Sequence, residues 1–351
     1  MRRGSAIESA VDRVARRCSE HDEARALRLA LVEEIRHTVG FDAYAWLLTD
    51  PVTEIGSSPV ADVPWLAELP RQIRLKYLTP LNRWTTLSRP PVGCLRSATG
   101  DRPEESLVWR ELLVRYDVTD AASVVFRDRY GCWAFLELWR TQSTRPYGEA
   151  DADVLSAIAG PVTTALRRCQ ARTFGLDAPP PERTGPVVLM LTADLDVRAQ
   201  TPETEEYLRL LVPPEADRRP IPAGAYNVAA QLLAVEAGIN HHSPSSRVHL
   251  ADGVWLTLRA ARLGQAGVAD DIAVTIERTS PGERLDLFAR ACGLTTREAE
   301  LLVHLAAGAD TRQTAESMFI SEHTVQDHLK AIFAKTGAPN RRVLLAKATG
   351  R

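Results

Sequence analysis

The sequence predicts an α+β protein that closes with an all-α unit, and three observations carry that expectation. Apolar runs with strand character, such as "AYAWLLTD" and "CWAFLELWR", alternate with helical patterns over the first 279 residues. Beyond Ser280 no strand pattern remains, and short capped helices follow one another. The proline-rich "GLDAPPPERTGP" (Gly175 to Pro186) and the break "SPGER" (Ser280 to Arg284) cannot continue a helix, so they divide the chain into units 1–175, 185–279 and 283–351. "PPEADRRPIPAG" (Pro213 to Gly224) reads as a loop inside the middle unit.

The first unit opens with a helix on which Ile7, Val11, Val14 and Cys18 share a face, with Ser5 and Glu8 spaced as a capping box. A second helix is expected over Asp22 to Val39, stopped by Gly40. Strands follow at "AYAWLLTD", "AASVVFRD" and "CWAFLELWR", the last after the turn dipeptide Tyr130-Gly131, and a helix from Glu149 to Ala171 closes the unit. With "RDRYGCWAFLELWR" as its central hairpin, this order resembles a GAF sensory domain. In the middle unit, "VVLMLTADLDVRAQTPETEEYLRLL" reads as strand, turn, strand and a helix begun by Thr201 and Pro202; "SRVHLA", "GVWLTLRAARL" and "DIAVTIERT" add strands. That order resembles a PAS domain, in which a sheet and small helices enclose a pocket.

The third unit is the best punctuated. Thr295 and Glu298 form a capping box, Leu301, Leu302 and Leu305 make a stripe, and Gly308 ends the helix. Asp310 and Gln313 cap a helix of barely two turns, with Ala315, Met318 and Phe319 as its buried face. Ser321 starts a longer helix over 322–336, with Val325, Leu329, Ile332 and Phe333 turned inward until Gly337 and Pro339 stop it. A short helix, a tight corner and a longer helix describe a helix-turn-helix. At 100° per residue, His323, Asp327, Lys330, Ala331 and Ala334 face outward, Thr324, His328 and Lys335 lie along one flank, and Gln326 lies along the other. The shallow alanines allow a close approach to a DNA groove. From His328 onward there are six Lys or Arg residues and no acidic one, so positive charge gathers at this end of a chain whose formal net charge is only -2.

The stretch "LTTREAELLVHLAAGADTRQTAESMFISEHTVQDHLKAIFAKTGAPNRRVLLA" resembles the C-terminal DNA-binding domain of LuxR-type bacterial transcriptional regulators. It carries the L-T-x-R-E opening, the glycine before the scaffold helix, the I-S-x-x-T-V-x-x-H core and the K-x-G-x-x-N-R close. The resemblance implies a four-helix domain whose third helix reads the major groove. Base contacts would come from Gln326, Asp327 and Lys330, with His323 on the same face, and phosphate contacts from Thr324, His328 and Lys335. A fourth helix, about Asn340 to Ala348, would join two copies through Val343, Leu344 and Lys347. Family members often carry Lys at the position of Gln326 and an aliphatic residue at that of Asp327, so the preferred sequence should differ; Thr314 likewise replaces an aliphatic residue.

Plainer alternatives stand beside these readings. A helix-turn-helix can serve as a protein contact, and His328 can hydrogen-bond inside its own domain. His241, His242 and His249 lack metal-ligand spacing, Glu203, Glu205 and Glu206 suit a helix N-terminus, and no hydrolase, nucleotide-binding or zinc-protease motif occurs. Trp84, Trp109, Trp133 and Trp139 are core residues or, alternatively, walls of a ligand pocket. Five scattered cysteines read as reduced thiols, and with no long apolar run the expected location is the cytoplasm. The expected partners are double-stranded DNA, a second copy of the chain and, for the N-terminal units, a small-molecule ligand or a partner, with a purely dimerising scaffold as the alternative; no cofactor, no metal and no catalytic residue is expected. A sigma-like factor acting with RNA polymerase is the alternative class, although segments resembling the sigma core-binding and melting regions are not found.

Overall fold

The computed structural model describes residues 2–141, 145–175, 187–211, 222–251, 253–264 and 271–350. The expected linker at 176–186, most of the loop within 213–224, and Arg351 lie outside them. The chain divides into two compact units: Met1–Leu166 with Thr184–Val248 and Thr257–Glu277, and Arg167–Arg183 with His249–Leu256 and Arg278–Arg351.

The first unit begins with α1 (Arg2–Glu20) and α2 (Ala24–Thr38). Since α1 starts at Arg2, Ser5 already lies within the helix and is not its cap. What holds α1 is its apolar stripe: Ala10, Val14 and Cys18 are buried, and α1 packs against α2. The chain continues through β1 (Ala43–Thr49), β2 (Gly56–Asp62), α3 (Leu69–Leu78), β3 (Val92–Cys94), α4 (Leu95–Thr99), α5 (Leu107–Glu111), β4 (Val118–Asp128), β5 (Gly131–Thr141) and α6 (Glu149–Arg172). These strands form one sheet in the order β2-β1-β5-β4-β3. β5 is central and buried along nearly its whole length, its charged Glu137 and Arg140 included. Trp46 stacks on Phe126 at 5.1 Å and Trp84 on Phe135 at 4.5 Å. The β1–β2 register shifts between Trp46 and Leu48. Buried Arg28 donates there to the Trp46 carbonyl at 2.8 Å and to that of Ser58 at 2.7 Å, satisfying backbone oxygens that an irregular ladder leaves open.

The second sheet has the order β7-β6-β10-β9-β8. Its strands are β6 (Val187–Leu191), β7 (Val197–Gln200), β8 (Ser245–Ala251), β9 (Val254–Arg262) and β10 (Ile272–Arg278), and α7 (Pro202–Leu211) and α8 (Ala223–Glu236) lie between β7 and β8. α8 is not among the elements that the sequence predicts. Ten of its residues are buried, so it has no polar face to give a 3.6-residue alternation. It packs on α3 and β2. Arg83 donates to Gln231 at 3.3 Å, and Asn240 to Thr85 at 3.4 Å. Farther along, Arg247 binds Asp50 through Nε at 2.7 Å, Nη2 at 2.9 Å and its backbone N–H at 2.9 Å. Burial pushes the Asp50 carboxyl up, but the hydrogen bonds and charge of Arg247 outweigh it, and the group stays below the usual carboxylate value.

The second unit contains α9 (Pro281–Ala291), α10 (Thr296–Ala306), α11 (Thr311–Met318), α12 (Glu322–Thr336) and α13 (Arg341–Thr349). α9 has its own capping box, Ser280 with Glu283, and packs on α10 and α13. Phe174 stacks on Trp255 at 5.1 Å and meets Phe288 edge-on at 5.3 Å. Arg284 donates to the Gly253 carbonyl at 2.6 Å and to the Lys347 carbonyl at 3.2 Å. Burial, with Arg278 nearby, pushes its guanidinium down to about 10. Among the described residues no helix is long and apolar enough to cross a membrane, and no group of three or more His, Cys, Asp or Glu is placed to hold a metal. None of the five cysteines is joined in a disulfide.

Candidate nucleic-acid interface

Local capping sets the three helices of the interface. The Thr295 side chain accepts from Glu298 N–H and Glu298 answers at the Thr295 amide; Asp310 and Gln313 do the same for α11. Ser321 accepts from Thr324 N–H at 3.1 Å, and its hydroxyl lies 2.8 Å from that of Thr324. Gly308, at φ 90, and Gly337, at φ 63, take the left-handed conformations that end α10 and α12. Val325, Leu329 and Ile332 are buried, whereas Phe333 is half-buried.

The corner differs from expectation at one residue. The apolar spacing predicts Phe319 on the buried face of α11, yet it is 96% exposed. It terminates α11 with φ 56 and ψ 46, and this left-handed turn swings its side chain off the stripe formed by Ala315 and Met318. Thr314 is fully buried, its hydroxyl donating to the Asp310 carbonyl at 2.7 Å, so the unusual residue is satisfied within its own turn.

His323, Gln326, Asp327 and Lys330 are exposed, and Thr324 and His328 are half-buried on the same helix. Asp327 sits between the imidazole of His323, with Nε2 at 3.5 Å, and the ammonium of Lys330, with Nζ at 3.1 Å. The hydrogen bond from Lys330, then the charge of His323, holds its carboxyl below the usual range. The outward face is therefore two donors bridged by one acceptor, which matches the mixed pattern of base edges better than a uniform phosphate row. Gln326 reaches back to the Thr311 hydroxyl at 3.4 Å.

Lys335 has a different setting. Its ammonium lies 2.6 Å from Glu298 Oε2 and 2.9 Å from Oε1. Burial raises the Glu298 carboxyl, but the Lys335 hydrogen bond and the Thr295 amide lower it further than burial lifts it. Capping-box spacing had singled out Glu298 for its local work; its pairing with a residue 37 positions away left no mark in the sequence. In α13, Leu344 is fully buried within the chain, while Val343 and Lys347 are half-buried. Asn340 caps that helix by accepting from Val343 N–H at 2.9 Å, and Arg341 donates to the Ala309 carbonyl.

Residues 293–348 match the family described as bacterial regulatory proteins, luxR family. This segment is a LuxR-type helix-turn-helix domain. Among similar proteins, the CsgBAC operon transcriptional regulatory protein of Escherichia coli is 48% identical over 48 residues, 14% of this chain and 22% of that protein. A Mycobacterium tuberculosis protein named as an HTH-type transcriptional regulator, Rv0890c, is 28% identical over 142 residues, 36% of this chain and 16% of that protein. The chain thus spans less than a quarter of either relative. The crystal structure of Escherichia coli SdiA aligns over 97% of both chains with 13% identity and a TM-score of 0.36.

Apart from the LuxR-type domain, the first unit contains a cavity of about 400 Å³ between its five-stranded sheet, α3 and the start of α8. Of the four tryptophans weighed as core or pocket, Trp84 and Trp133 are buried, Trp109 is partly buried, and Trp139 lines this cavity.

Proposed function

We propose that the chain is a sequence-specific DNA-binding transcriptional regulator, with α12 in the major groove and a small molecule acting through its N-terminal part. The observation that carries this is the exposed His323, Asp327 and Lys330 face of a helix braced from behind by α10 and α11. Gln326, Asp327 and Lys330 are assigned to base edges. Thr324 and His328 are assigned to phosphates, together with the exposed Arg342. Lys335, engaged by Glu298, holds α12 to α10. Two copies meet through α13, with Val343 and Lys347 at the contact; Leu344 supports it from within.

The domain reading that accompanies this is a GAF-like unit over 1–175, a PAS-like unit over 185–279 and the DNA-binding unit over 283–351. In this reading α9 is the coupling element, because its Phe288 and Arg284 touch the ring pair Phe174 and Trp255, the 253 turn and the last turn of α13. A ligand controls DNA binding only if it favours one arrangement of α9 over another.

Gel shifts of the full chain on genomic fragments, with and without core RNA polymerase, test the reading. Polymerase-independent shifts that weaken steeply with salt are expected. Lys330→Ala should cost about 1–3 kcal/mol at a selected site. Absence of any shift at low salt across many fragments would refute DNA binding, and a shift that needs polymerase would favour the sigma-like class.

A further inference from the structure

The floor of the first unit's cavity contains a carboxylate in an apolar place. Glu137 lies at the middle of β5, the central strand, with a side chain only 7% exposed. Its cross-strand neighbours on the two sides are Ala45 and Ser123, so the register sets one long acid between two of the smallest side chains and leaves a hollow above them. Lys76 descends from α3 until its Nζ is 2.7 Å from Glu137 Oε1. That contact is an ion pair without hydrogen-bond alignment: Oε1 accepts no hydrogen bond among the described residues. The ammonium reaches Ser123 Oγ at a long 3.4 Å.

A purely structural pair in such a place needs its remaining lone pairs and protons satisfied, because burial of two charges costs more than their attraction returns otherwise. This pair is incomplete on the acid's side, and the space beside it is a cavity whose other walls are mostly apolar. Leu29 and Leu66 line it while remaining 37% and 40% exposed, which gives it an apolar mouth. Its size falls in the range of small-molecule sites.

We propose that this cavity binds a net-neutral, largely apolar small molecule whose polar head carries an adjacent hydrogen-bond donor and acceptor, the donor to Glu137 and the acceptor to Lys76. Glu137 and Lys76 cancel each other on the cavity floor, and the other charged residue of the lining, Arg25, is exposed, so an anionic or cationic head at the floor leaves one charge buried without a partner. The inference rests on the proposal that this unit takes up a ligand, and it specifies the chemistry of that ligand. Asn227, from α8, also lines the cavity, so the occupant touches the helix that joins the second sheet to the first.

The test uses four probes of one shape on the full-length protein, followed by calorimetry: naphthamide, naphthalene, naphthoate and naphthylmethylamine. Naphthamide should bind about tenfold or more tighter than naphthalene, and tighter than either charged probe by a similar factor. The double variant Lys76→Met with Glu137→Leu should bind naphthamide and naphthalene alike, with a melting temperature equal to or above that of the unmodified protein. Naphthalene binding as tightly as naphthamide, preference for a charged probe, or no naphthamide binding overturns the proposal. DNA affinity measured at saturating naphthamide separates this from the sensory reading: bound probe without a change in DNA affinity supports the chemistry of the cavity and refutes control through it.

Discussion

Replacing Lys335 with methionine distinguishes a residue that touches phosphate from one that holds the domain together. The methionine keeps most of the apolar stem, so what is lost is the charge. Glu298 is then left with its Thr295 amide but no cation, at 6% side-chain exposure, while the missing ammonium came from a side chain that was 34% exposed. Breaking a fully buried pair costs about 3–5 kcal/mol and an exposed one about 0–1; this half-buried pair should cost about 1–3. For a unit of this size each kcal/mol lowers the melting temperature by roughly 4–8 °C. Because the Glu298 carboxyl is held below its ordinary value of 4.5, the pair's contribution is complete above that value and disappears as pH falls through the lower folded one. Calorimetry of both proteins should therefore show a gap at neutral pH that closes in acid. In DNA titrations the slope of log affinity against log salt should stay unchanged, whereas loss of a phosphate contact reduces its magnitude by about 0.9. An unchanged melting temperature together with that reduction would refute the framing role.

Phe319→Gly should stabilise the second unit by about 0.5–1 kcal/mol, since glycine relieves a left-handed residue at a helix end and loses only part of the gain to chain entropy. The side chain is 96% exposed, so thermal unfolding that shows a loss instead would mean that Phe319 makes a contact of its own. Asp50→Asn should weaken the first unit at neutral pH, and the difference from the parent should vanish once pH falls through the lowered Asp50 value, below the ordinary 3.8; a gap that persists in acid would count against the Arg247 clamp. Asp327→Ala should relax preference at one base pair and, by freeing Lys330 and His323, raise affinity for unrelated DNA. Unaltered selectivity in a binding-site selection would remove Asp327 from base reading.

The helix-turn-helix was legible because its signals are local. Thr295 with Glu298, Asp310 with Gln313, Ser321 and Asn340 each bond within three residues of themselves, and a spacing of three survives in the one-dimensional string. The long apolar runs of β1, β4 and β5 were readable for a similar reason: strand character is written in adjacent residues. Tertiary structure alone decided which of the marked residues meet. It turned Phe319 outward and Leu344 inward, tied Lys335 to Glu298, and brought Arg247 to Asp50 across 197 positions. It also made a helix of Ala223–Glu236, which is buried on nearly every side and so carries no apolar-polar periodicity. The cavity depends on it most: Ala45, Ser123, Glu137 and Lys76 are unremarkable in sequence, and only strand register and the placement of α3 set a buried ion pair beside empty space. Caps and strand propensity are fixed by neighbours along the chain, whereas burial, charge pairing and hollows depend on what the rest of the fold places next to a residue.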